Sequence, residues 1–214
     1  MTPLSAAELQ ELTLNAEVLE KDGLGPKVLH LSDGSFLKLF RKRRLLSSET
    51  LKPYAKRFAE NAKKLRELGF ITPEIIKVYR LENDINGTAV RYTPLPGNTL
   101  RHALQQVEAE QQSTLINQLG QLLSLLHEKG VYFRSAHLGN VLLLPDGTLG
   151  LIDIADLKIQ RTPLSLAKRL RNLKHMRRYK QDTHWLFESH KLALIAGYTL
   201  HSAKYAQSLF AEIN

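Results

Sequence analysis

Thr93-Pro94-Leu95-Pro96-Gly97 sets two prolines and a glycine within five residues, and neither a helix nor a strand runs easily through such a stretch. The residue patterns on its two sides differ. Before it, Val28-Leu29-His30-Leu31 and Ser35-Phe36-Leu37-Lys38-Leu39-Phe40 flank Asp33-Gly34, which predicts a β-hairpin. Residues 5–20 and 48–68 read as helices, the second ended by Gly69 and followed by Pro73. Strands are predicted at 74–81 and 89–92, joined by the turn Asn86-Gly87. Beyond the break, Leu115, Leu119, Leu122 and Leu126 form one stripe at helical spacing. A second hairpin is predicted from residues 141–144 and 149–152 around Pro145-Asp146-Gly147, and the chain reads as helical from Pro163 onward. The expected fold class is α+β and bilobal: a β-rich N-lobe over residues 1–92, a hinge at 93–97 and a mainly helical C-lobe over 98–214. Ligand clefts often lie at such junctions, so one is expected there.

Composition narrows the function classes. The 214 residues are 43% hydrophobic, enough for a core, and include no cysteine, which excludes a disulfide framework and a thiolate metal site. The first twenty residues carry acids and no apolar core, unlike a secretory signal, and no apolar run is long enough to span a bilayer. A cytoplasmic protein, soluble or peripheral at a membrane, is expected. The net charge of +9 favours anionic partners: phosphates, nucleic acid or an acidic membrane face. Residues 157–181 concentrate that charge in Lys158, Arg161, Lys168, Arg169, Arg171, Lys174, Arg177, Arg178 and Lys180, with no Asp or Glu. Read as a helix docked through Leu166, Leu170 and Leu173, this run is expected to present its cations to an anionic membrane or a phosphorylated glycolipid.

The chemistry is concentrated in Tyr132-Phe133-Arg134-Ser135-Ala136-His137-Leu138-Gly139-Asn140 and in Leu151-Ile152-Asp153-Ile154-Ala155-Asp156. A polar loop enters the second hairpin and an aspartate stands where the hairpin ends. Pairing of the two arms would bring Asn140 and Asp153 together. An amide oxygen beside a carboxylate makes a hard-oxygen site of the kind magnesium prefers.

Here the sequence resembles the protein-kinase superfamily, which carries a His-Arg-Asp loop, an Asn five residues after the Asp, a hairpin and then Asp-Phe-Gly. The resemblance assigns Asn140 and Asp153 as magnesium ligands and Arg134 as the loop arginine. Ser135 stands at the usual catalytic aspartate position, and Ile154 and Ala155 replace Phe and Gly. His137 matches the second histidine of the variant His-Gly-Asp-x-His-x-x-Asn, and Asp156 is a candidate substitute base or metal ligand. The resemblance further implies that Lys38 binds ATP phosphates with Glu60 as its ion-pair partner. Gly23, Gly25 and Lys27 stand in a weak counterpart of the Gly-rich loop, where Pro26 removes a donor.

Val-Tyr-Phe-Arg-Ser-x-His-Leu-Gly-Asn with Gly-Leu-Ile-Asp-Ile-Ala-Asp is similar to the bacterial toluene tolerance proteins, related to kinases of lipopolysaccharide inner-core sugars. That implies an ATP- and magnesium-dependent phosphotransferase of cell-envelope biogenesis, acting in the cytoplasm at the inner membrane on an anionic glycolipid. A pseudokinase scaffold is the alternative, supported by Ser135. A nucleic-acid-binding protein is the other, suggested by charge alone, although no DNA- or RNA-binding motif accompanies it.

Overall fold

The structure is a computed structural model that describes residues 1–41, 53–82 and 87–212. It is mixed α+β, sheet-rich in its N-terminal part and helical in its C-terminal part. The chain divides into two compact units, the first Met1–Leu95 and the second beginning at Pro96.

The first unit contains β1 (Thr2–Leu4), α1 (Ala6–Leu12), β2 (Glu17–Asp22), β3 (Gly25–His30), β4 (Phe36–Phe40), α2 (Tyr54–Glu67), β5 (Glu74–Leu81) and β6 (Thr88–Thr93). The strands form one sheet in the order β1-β5-β6-β4-β3-β2, antiparallel except where β1 lies parallel to β5. The predicted hairpin is β3–β4, with Val28 opposite Lys38 and Leu29 opposite Leu37. Period-two alternation sorts β4 between two faces. Leu37 and Leu39 join Leu4, Leu29, Leu31, Tyr79, Leu81 and Ala89 in a buried cluster covered by Leu9 and Leu12 of α1. Lys38 points the other way, toward Phe58 of α2, which buries Ala55, Phe58, Ala62 and Leu65.

Two expectations for this unit change. Residues 5–20 are not one helix: α1 stops after seven residues, Asn15 takes a positive φ of 60°, and residues 17–22 become a strand. The Glu-, Leu- and Lys-rich composition favours a helix locally, but pairing of Glu17 with His30 and Val18 with Leu29 outweighs propensity. Residues 48–52 of the expected second helix, and Asn86 of the expected turn, lie outside the described residues.

The second unit contains β7 (Asn98–Thr99), α3 (Leu100–Gln105), α4 (Ala109–Glu128), β8 (Val131–Phe133), β9 (Val141–Leu143), β10 (Leu149–Leu151), β11 (Leu157–Ile159), α5 (Leu166–Met176), α6 (Lys180–Thr183) and α7 (Lys191–Ala211). Gly97 enters β7 with φ +106°, and a Cβ there would lie 2.1 Å from the Leu143 carbonyl oxygen, so only glycine permits β7 to pair with β9. Helix α4 buries Leu115, Ile116, Leu119, Leu123, Leu126 and His127; Leu122 of the expected stripe is only half-buried. The stripe shifts because α7 packs closely on α4 through facing glycines. A Cβ on Gly120 would lie 2.4 Å from the Leu194 oxygen, and one on Gly197 would lie 2.0 Å from the Asn117 oxygen.

A chain of polar groups runs through this unit's interior. Arg169, fully buried on α5, donates to Tyr198 Oη (3.0 Å), Ser202 Oγ (2.8 Å) and the Leu164 carbonyl (2.7 Å). Its Nη2 lies 2.8 Å from Glu128 Oε1, an ion-pair distance without hydrogen-bond alignment. Asn172 Nδ2 donates to the Phe133 carbonyl (2.6 Å), so its Oδ1 accepts from His127 Nε2 (3.1 Å). His127 Nδ1 then accepts from Tyr198 Oη (2.8 Å). Burial holds the His127 imidazole down to about 4, helping to keep it neutral in this relay. Among the described residues no helix is long and apolar enough to cross a membrane.

Candidate functional site

The strand β8 delivers the polar loop. Ala136 N donates to the Phe133 carbonyl (3.0 Å), which turns the chain, and a 3₁₀ turn over Leu138–Asn140 leads into β9. Because β9 pairs with β10 with Val141 opposite Leu151, the next residues outward face one another, and Ile152 N donates to the Asn140 carbonyl (3.0 Å). Asn140 is buried and its Nδ2 donates to the Ser135 carbonyl (2.8 Å). Ser135 Oγ in turn donates to the Asp153 carbonyl (3.3 Å). Ser135 therefore links Asn140 to Asp153 by two hydrogen bonds.

Asp153 adopts the left-handed conformation, φ 52° and ψ 46°, which among non-glycine residues Asn and Asp tolerate best. It stands at the start of the short turn Ile154–Asp156 and makes no side-chain cap bond to it. With the Asn140 nitrogen committed to Ser135, Oδ1 is the end of that amide left to accept or coordinate. Ser135 ties the Asn140 side chain to the Asp153 main chain, and the amide oxygen and carboxylate of these two residues are ligand types that magnesium takes. Among the described residues there is no group of three His, Cys, Asp or Glu side chains able to hold a metal.

The other loop residues are placed as follows. Arg134 Nη1 lies 3.3 Å from Asp156 Oδ1, which stands beside it because β11 pairs with β8. His137 Nδ1 accepts from Gly139 N (3.0 Å), so the neutral ring carries its proton on Nε2 and presents a donor there. Burial and then the Arg101 charge push the His137 imidazole below its ordinary value.

Two residues absent from the sequence reading hold this loop. Asp182 is fully buried and accepts from Leu138 N (3.1 Å). It also takes a two-pronged bond from Arg101, Nε at 2.8 Å and Nη2 at 2.9 Å. The only hint in the sequence is that Asp182 is the first carboxylate after the cationic run, one residue past the end of the segment singled out.

No known protein family and no curated protein matches this chain.

In the first unit Lys38 is almost fully buried on β4, with Nζ 5.8 Å from the Phe40 ring centre and 6.0 Å from that of Phe58. Glu60 sits half-buried on α2, two positions beyond Phe58. Gly23 and Gly25 form the β2–β3 turn, where Leu24 N donates to Asp22 Oδ1 (2.8 Å) and Gly25 takes φ +110°. Lys27 is paired across that hairpin with Glu20.

The basic segment differs from the expectation at three points. Residues 157–159 are the strand β11, so the run is not one helix. Arg169 is fully buried and paired with Glu128, so it faces no external polyanion, and one of the nine cations has its counter-charge inside the fold. The docked face of α5 is Arg169, Asn172, Leu173 and Met176, while Leu166 and Leu170 are half-buried. Hydrogen bonding of Arg169 and Asn172 rotates the helix away from an all-leucine contact. Lys158, Arg161, Lys168, Arg171, Lys174, Arg177, Arg178 and Lys180 remain exposed.

Proposed function

We propose that this protein is an ATP- and magnesium-dependent phosphotransferase with a protein-kinase-like fold, acting on an anionic glycolipid acceptor such as a lipopolysaccharide core at the cytoplasmic face of a membrane. The observation that carries the reading is the link through Ser135, which ties a buried asparagine side chain to the main chain of an aspartate at the end of a hairpin. Asn140 and Asp153 would hold the magnesium, which neutralises charge on the transferring phosphate. Lys38 would bind nucleotide phosphates, with Glu60 restraining it. The transferred phosphorus leaves the bridging oxygen of ADP and bonds to an acceptor hydroxyl. Asp156, 3.3 Å from Arg134 Nη1, is the candidate to take the acceptor's proton. Positioning and charge neutralisation supply most of the rate in such reactions, so a serine in place of the usual aspartate slows transfer without abolishing it. The exposed cations of residues 158–180 would meet the acceptor or the membrane.

A scaffold that binds nucleotide without transferring phosphate is favoured by one observation: Ser135 Oγ already donates to the Asp153 carbonyl and offers no carboxylate. Magnesium with ATP should raise the melting temperature, corresponding to about 2.7 kcal/mol at a hundredfold excess over Kd. Asp153→Asn, which the left-handed backbone accepts, should remove most of that shift. Absence of a shift in the wild type at millimolar ATP would sink the nucleotide reading. A shift without release of labelled phosphate to any acceptor or water would favour the scaffold.

A further inference from the structure

Tyr179 is exposed on a charged surface next to the loop, 38% accessible, and its ring is surrounded by donors. The Arg101 guanidinium carbon lies 4.3 Å from the ring centre and that of Arg178 lies 5.7 Å away. The His137 ring meets it edge-on at 5.2 Å. These groups do different work. Arg101 spends Nε and Nη2 on Asp182, so its charge is balanced and it serves as a fixed wall. Gly139 permits this packing, since a Cβ there would lie 2.9 Å from Arg101 Nη1 and 3.1 Å from the His137 ring. Arg178 is exposed and, among the described residues, has no carboxylate within ion-pair distance. His137 offers Nε2–H because its other nitrogen accepts from Gly139. An uncompensated guanidinium and an imidazole N–H gathered about one aromatic ring form a donor set for a tetrahedral oxyanion.

We propose that Arg178, His137 and Tyr179 form a subsite for the phosphate group of a phosphorylated sugar, beside the loop that carries Ser135 and Asn140. Calling that sugar the acceptor rests on the phosphotransferase reading; the subsite itself does not. The Tyr179 ring orients Arg178 by a cation–π contact and adds an apolar edge for the sugar, while Arg178 and the imidazole N–H bind the phosphate oxygens. Arg177 of the same segment also lies 5.3 Å from an aromatic ring centre, that of Phe187; what marks this surface is that Arg101 and His137 share the Tyr179 ring with Arg178.

The test uses glucose 6-phosphate, glucose and inorganic phosphate as probes, titrated into the full chain by NMR or calorimetry. Glucose 6-phosphate should bind more tightly than either of the others. Arg178→Gln and Tyr179→Ala should each weaken it about tenfold or more, as expected for losing a charge-assisted contact. Lys180→Gln, which removes an equally exposed charge one residue away, should change it less than twofold. Tyr179→Phe keeps the ring, should retain most of the binding and guards against a folding artefact. Equal weakening by Lys180→Gln, equal affinity for glucose and its phosphate, or no binding of glucose 6-phosphate at millimolar concentration would each overturn the subsite. The magnesium–ATP melting shift should persist in Arg178→Gln; its loss would assign these residues to the nucleotide and overturn the proposal. Sugar-phosphate binding in a protein with no nucleotide shift would uphold the subsite and defeat the phosphotransferase reading.

Discussion

The two units stabilise their interiors in different ways. In the first, one face of the sheet is closed by leucines: Leu4, Leu29, Leu31, Leu37, Leu39 and Leu81, with Leu9 and Leu12 of α1 laid over them. Its fully apolar contacts are forgiving, because burial is non-directional and similar volumes can substitute. The second unit buries Arg169, Asp182, His127 and Asn172 at 1% exposure or less. Such groups are costly unless every donor and acceptor finds a partner, and when satisfied they specify one arrangement. Those bonds lead to the loop. Asn172 holds the Phe133 carbonyl where the loop begins, and Asp182 holds Leu138 N where its turn begins. The difference teaches that polar burial is concentrated where a loop must be positioned, and apolar burial where a sheet needs only to be covered.

The largest expected effect that would break this comparison comes from Arg169→Ala. It removes a buried guanidinium and leaves Tyr198, Ser202, the Leu164 carbonyl and Glu128 without it. The cost should be about 3–5 kcal/mol, as for other buried pairs that lose one member. Trp185, the chain's single tryptophan, lies in the second unit and is almost fully buried, so its fluorescence during urea unfolding reads the loss there. A cost under ~1 kcal/mol would show that the polar interior contributes little.

Acid should separate the units next. His127 titrates at 6.5 when unfolded and at about 4 when folded, because burial resists its charging. Between those values the unfolded chain binds the extra proton, so the second unit loses stability as pH falls, by roughly 3 kcal/mol in total. Burial moves His137 and His175 in the same direction. In the first unit, Ser35 side-chain and backbone bonds, then Arg91, hold the Asp33 carboxyl down to about 2 from 3.8. Its contribution is present above 3.8 and is lost only as pH falls from there toward 2. Trp185 fluorescence should thus respond between pH 6.5 and 4, while amide exchange in β4 should respond mainly below that window. Simultaneous loss in both regions at pH 5 would remove the distinction.

The smallest expected effect sharpens the picture of the first unit. Ser5 accepts from Glu8 N (3.2 Å), and Ser5 N donates to Glu8 Oε2 (2.8 Å), capping α1 over the leucine cluster. Ser5→Ala should cost about 1 kcal/mol. It should speed amide exchange in α1 with little change at Trp185.

Much of the fold was legible because its signals are local. The hairpin about Asp33-Gly34, strand 74–81 and the pair of arms about Asp146-Gly147 follow from turn chemistry and alternation, and they occur where expected. So does the proximity of Asn140 to Asp153, since antiparallel pairing of two short strands must bring their outer ends together. Residues 17–20 of the expected helix belong to a strand because helix-favouring side chains are recruited by a neighbouring strand, a decision no local pattern carries.

By itself the sequence determined the strand-rich and helix-rich character of the two parts and the approach of Asn140 to Asp153. These depend on residues close in the chain, whose backbone preferences and spacing act at short range. Only the tertiary structure decided that Arg169 turns inward, that Asp182 and Arg101 grip the loop from 81 positions apart, and that Tyr179 stands against His137. A cation in a basic run looks the same whether it faces water or a buried hydroxyl. Its fate depends on whether distant helices bring enough partners to replace its hydration.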